Sequence, residues 1–126
     1  MDLPKQLTLQ AGYAHFAPQG KMSLREAIGL VTQAIVYCRE HEVQRLLADV
    51  SGLTGFRPPF LYERYWAAHE WAHAAGGRLV IAMVAEEHML DPQRFGVLVA
   101  RNAGLRSFAS SQAEEAREWL LTQEVF

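Results

Sequence analysis

Cysteine is almost missing from this chain. Cys38 stands alone among 126 residues, which excludes an internal disulfide and any zinc site built on cysteines, and suits a reducing compartment. Long apolar runs are missing too. Nowhere do eighteen apolar residues stand together, so no stretch predicts a membrane-crossing helix. The N-terminal MDLPKQLTLQAGYAHF shows no basic leader followed by an apolar stretch. The expectation is a soluble, cytoplasmic protein without a membrane partner. An excess of positive charge is also lacking: Lys and Arg number 12 against 14 Asp and Glu, and the basic residues are scattered. That excludes the electrostatic footprint of a nucleic-acid binder. The chain has no Gly-x-Ser-x-Gly elbow, no phosphate-cradling glycine loop and no Gly-x-Gly-x-x-Gly fingerprint, so neither a catalytic centre of those types nor a cofactor is expected.

What is present is apolar residue in quantity, 50% of the chain, enough for one core at this length. A single domain over 1–126 is expected, with its core at about 12–121. Strand and helix signals take turns. Tyr13 to Phe16 reads as a short strand ended by Pro18, Gln19 and Gly20. Ser23 to Glu26, SLRE, is a capping box, in which the Ser23 hydroxyl and the Glu26 carboxylate satisfy each other's backbone amides at a helix start. Leu24, Ala27, Ile28, Val31, Ala34, Ile35 and Cys38 then recur at three- and four-residue steps as one apolar stripe. Leu46 to Val50 reads as a buried parallel strand stopped by Ser51-Gly52. After the loop GLTGFRPP a helix starts beyond Pro59 and ends at Gly76-Gly77. On its wheel Leu61, Tyr65, Ala68, Ala72 and Ala75 form the expected core stripe.

Leu79 to Ala85 is the most hydrophobic strand and is expected at the centre of the sheet. Asp91-Pro92 predicts a helix N-cap and first position, with Phe95, Leu98 and Val99 facing inward and Gly104 as the stop. Leu105 to Ala109 predicts a last strand. Ser111 to Glu114, SQAE, predicts a second capping box opening the final helix through Trp119 and Leu120. The order βαβαβαβα implies an α/β domain with a mostly parallel sheet of four or five strands.

One stretch spells a catalytic pattern. His69 to His73, HEWAH, places two imidazoles one helical turn apart with a glutamate between, the ligand pair and general base of a zinc peptidase, and Gly76 extends the match. Where that longer pattern needs a third histidine the chain has Leu79, inside a predicted strand. Glu86, Glu87 and His88 follow that strand, and a strand's length separates them from His73. A metal site is therefore not expected. The alternative left open is a zinc-dependent hydrolase with His69 and His73 as ligands and Glu70 as base.

The whole-chain pattern resembles another family. Asp49 to Phe56, DVSGLTGF, fed by a capped helix and followed by a loop, a helix and a very apolar strand, is similar to the STAS-like domains. These are the anti-sigma-factor antagonists and a large bacterial group described as STAS-like or Sec14-like. PQGKMSLREA at Pro18 to Ala27 and DPQRFGVLVARNAGL at Asp91 to Leu105 support the resemblance over about residues 12–121. It implies a STAS-like fold and a non-catalytic binding or regulatory module acting through a protein partner or a small ligand. Its Sec14-like side implies a lipid or apolar-ligand carrier, which requires a sizeable apolar cavity. Regulatory members carry a serine that is phosphorylated at a helix N-terminus, but Arg57-Pro58-Pro59-Phe60 stands there with no hydroxyl.

Ligands of open parallel sheets gather beyond the carboxyl ends of the strands. That edge nominates Asp49, Ser51, Thr54 and Arg57, with Asp49 and Ser51 alternatively serving only as local loop caps. A proline-stiffened loop would hold the Arg57 guanidinium for an anion. Tyr62, Trp66, His69 and His73 form a second candidate set, either packed under loops or exposed as a partner surface or homodimer seam.

Overall fold

The computed structural model describes residues 3–126; Met1 and Asp2, the first two residues of the expected domain, lie outside them. The chain is an α/β protein with a five-stranded, mostly parallel mixed sheet. Strands β1 (Leu7–Gln10) and β2 (Tyr13–Phe16) form an antiparallel hairpin. From β2 the chain climbs through α1 (Leu24–Glu40) to β4 (Arg45–Asp49), through α2 (Leu61–Ala75) to β6 (Val80–Val84), and through α3 (Phe95–Asn102) to β7 (Arg106–Ser110). These four strands are parallel, and α4 (Ala113–Thr122) closes the chain. Two short strands, β3 (Gly20–Lys21) and β5 (Leu53–Thr54), pair with each other beside the main sheet.

The spatial order is β1-β2-β4-β6-β7, so every crossover steps the same way. Because parallel crossovers are right-handed, three steps in one direction put three helices on one face. That is the arrangement found: Val31 and Ile35 of α1, Ala68 of α2 and Ala100 of α3 pack with Leu46, Ile81 and Leu105. The opposite face carries Leu47, Val80, Ala82 and Val84 against Ala116 and Leu120 of α4. Alternating residues of β4 and β6 serve the two layers, which is why both strands read as unbroken apolar runs.

The first capping box forms as read, with Ser23 Oγ accepting from the Glu26 amide and Glu26 Oε1 accepting from the Ser23 amide, both at 3.1 Å. Gly76 ends α2 in the left-handed conformation, φ 60. Four expectations need correction. The hairpin strand β1 was not expected, because only Leu7 of its four residues is buried and an edge strand of that kind carries little hydrophobic signal. Its addition makes β4 the middle strand rather than β6. The helix expected from Asp91-Pro92 begins three residues later. Arg94 takes a left-handed backbone, φ 55, that interrupts the chain before Phe95, and the Asp91 carboxylate reaches forward to accept from the Phe95 amide at 2.8 Å. The second capping box does not form: Gln112 is the N-cap, Ser110 Oγ accepts from its amide, and Glu114 pairs with Arg117 instead.

The fourth correction shapes the site. In α2 the buried residues are Ala67, Ala68, Ala72, Ala74 and Ala75, while Leu61 and Tyr65 of the expected core stripe are 56% and 52% exposed. Helix α2 lies on the sheet between α1 and α3. Alanine lets three helices share one face closely, and Leu61, Tyr62, Tyr65 and Trp66 are turned outward. Of the large apolar side chains of this helix only Trp71 packs against the core.

Candidate functional site

Alanines facing a sheet leave space. Between α1, α2, α3 and the sheet lies a cavity of about 170 Å³. Its walls are Ala27, Ile28 and Val31 of α1, Ala67, Ala68 and Trp71 of α2, Ile81 and Met83 of β6, and Val97 and Ala100 of α3. Partly exposed Leu24, Phe56, Pro59, Met89 and Leu90 line its rim, where the strands' carboxyl ends meet the first turns of α1 and α2. The Trp71 indole N–H donates to the Ile28 carbonyl at 3.2 Å, satisfying the one polar atom that ring brings to the wall and tying α2 to α1.

The charged side chains on this lining are Glu63, Arg64, Asp91 and Arg94. Arg64 donates from Nε to the Pro59 carbonyl and from Nη2 to the Met89 carbonyl, both at 3.1 Å. Burial holds its guanidinium below its ordinary pKa, against the opposing pull of Asp91 and Glu63. Arg94 donates from Nε to the Ala109 carbonyl and from Nη1 to the Asp91 carbonyl. Among the described residues neither arginine has a carboxylate within 4.0 Å. Glu63, by contrast, is engaged. Its two oxygens accept from Arg57 at 2.7 and 3.2 Å, and Oε1 also accepts from the Phe60 amide at the start of α2. The Arg57 hydrogen bonds, then that amide, hold the Glu63 carboxyl below its usual value.

Asp49 Oδ1 accepts from the Ser51 amide at 3.0 Å and from the Ser51 hydroxyl at 2.6 Å, so the two cap the end of β4 with each other. Thr54 ends β5, and at Gly55 just beyond it a Cβ would stand 2.6 Å from the carbonyl oxygen of Met22, in the segment between β3 and α1. Ser51 and Thr54 share a second depression with Glu86 and His88 that adjoins the cavity through Phe56 and Met89. Arg57 is not held ready for an anion, as expected from its prolines. It is paired with Glu63 and lies 3.7 Å over the Phe60 ring.

Tyr62, Trp66, His69 and His73 share the outer face of α2 and are all exposed. The Tyr65 and His69 rings lie 4.4 Å apart, and the Arg25 guanidinium stands 5.0 Å over Trp66. Glu70, the general base of the zinc alternative, is taken up elsewhere: Thr32 Oγ1 of α1 donates to its Oε2 at 2.5 Å. Among the described residues no three His, Cys, Asp or Glu side chains group so as to hold a metal ion, and no helix is long and apolar enough to cross a membrane.

Sequence reasoning passed over the cavity and its two arginines. The available signal was the run of alanines at positions 67, 68, 72, 74 and 75 in a helix whose largest side chains fall elsewhere. No family model, curated protein or solved structure matches the chain.

Proposed function

We propose that the chain is a non-catalytic binding module of STAS-like type that holds a small apolar ligand in the cavity beneath α2. One observation carries this reading: apart from Trp71, α2 turns alanine toward the sheet and its large apolar residues outward, leaving a mostly apolar space. Interiors are otherwise filled to crystal-like density. An apolar cavity near 150 Å³ takes a benzene-sized molecule, so about 170 Å³ suits a ring or a short chain and not the paired acyl chains of a membrane lipid. The Sec14-like carrier of large lipids is the weaker version of the idea. A phosphoserine switch is also disfavoured, because the Glu63 carboxylate already occupies the start of α2 and is matched by Arg57.

The test is a titration with octan-1-ol followed by methyl NMR. Shifts should concentrate on Ile28, Val31, Ile81 and Val97, which line the cavity. An absence of shifts, or shifts confined to the outer face of α2, removes the reading.

A second reading rests on that outer face. Leu61, Tyr62, Tyr65 and Trp66 form an exposed apolar strip on one helix, the kind of surface that marks protein contacts. A regulatory protein partner or a second copy of this chain would cover it.

A further inference from the structure

We infer that the cavity's ligand is a monocarboxylate with an apolar body, its head held at the rim by Arg64 and Arg94. This rests on the cavity reading above and adds the head-group chemistry. The charge at this lining is unmatched. Both guanidinium groups line a mostly apolar space and are partly withdrawn from water, yet their hydrogen bonds go only to backbone carbonyls. Carbonyls take up two donors of each group but offset no net charge. Arg64 Nη1 and Arg94 Nη2 have no hydrogen-bond partner among the described residues. Guanidinium groups withdrawn from water are ordinarily paired with a carboxylate or phosphate, because that geometry matches their paired N–H groups.

The charge count sets the ligand's valence. Glu63 is matched by Arg57, so this pair adds nothing to the site. What remains is two positive guanidinium groups and one negative Asp91, one of whose oxygens is already engaged by the Phe95 amide. A single negative charge balances the set. The cavity walls accept the apolar body, and its volume limits that body to about a ring or a short chain.

The experiment measures binding of octanoate, octan-1-ol, octylammonium and octyl phosphate to the full chain by calorimetry or NMR titration at low salt. The order expected is octanoate ahead of octan-1-ol by roughly tenfold or more, the effect of a charge-assisted hydrogen bond, with octylammonium weakest. Arg64→Gln and Arg94→Gln should each lose most of the octanoate advantage while leaving octan-1-ol within about twofold. Arg64→Lys and Arg94→Lys, which keep the charge, should recover part of it, and thermal melts report whether each variant is folded. Octanoate and octan-1-ol binding equally well would overturn the head-group assignment and leave the apolar-cavity reading standing. Failure of all four probes removes both. Octyl phosphate binding more tightly than octanoate would overturn the single-charge assignment, as would octanoate affinity unchanged in folded Gln variants.

Discussion

Cys38 shows how far a residue's fate is set by its neighbours. It falls within the apolar stripe of α1, is fully buried, and burial pushes its thiol up to about 12. A thiol held neutral is neither a nucleophile nor a metal ligand. The native protein is expected to resist iodoacetamide at pH 8 and to react fully once unfolded in urea, with labelling read by mass spectrometry. The folded thiol resists ionising more than the unfolded one, so its contribution is intact below the ordinary value of 9.0 and is lost as pH rises from there toward 12. Single residues were legible in the sequence where their role is local: Ser23 with Glu26, Gly76, and Asp49 with Ser51 all act on backbone within a few positions. Arg57 and Arg94 were not. Their partners depend on a side chain six residues away in one case and on a carbonyl of β7 in the other.

At the scale of elements, periodicity found α1, β4, β6 and the extent of α2, because each buries a contiguous apolar face. The orientation of α2 escaped it. A helical wheel ranks residues by bulk, whereas a helix lying between two others is selected for the absence of bulk, and the two criteria point opposite ways. The inward alanines yield a direct prediction. Replacing Ala68 by leucine adds three carbons on the cavity side of α2. Overpacking a filled core costs about 1–3 kcal/mol, but here the added carbons meet free space. The melting temperature of Ala68→Leu is expected to equal or exceed that of the parent, while octan-1-ol binding is lost. A destabilised variant that still binds the alcohol would place the empty volume elsewhere. The hairpin strand β1 and the short β3–β5 pair were out of reach for a related reason, since most of their residues are exposed, and β3 meets β5 only across the intervening α1 and β4.

The whole molecule leaves one helix face unaccounted for by its own packing. With Tyr62 69% exposed and Trp66 39% exposed, the outer strip of α2 is expected to promote association at high concentration. Light scattering should show a mass increase for the parent that a Tyr62→Ser, Trp66→Ser double variant lacks, with little change in melting temperature because neither side chain is in the core. A parent that stays monomeric throughout would argue for a foreign protein or for none. The order of strands has a separate consequence. Each strand of the main sheet from β2 onward is laid beside the main-sheet strand made just before it, and this sheet never doubles back to insert a late segment among early ones. Closing each crossover therefore brings together residues a few tens of positions apart, which keeps contact order low for a parallel sheet. The domain can assemble in the order of its synthesis, each new helix capping a strand that already has its neighbour, with α4 arriving last to seal the opposite side.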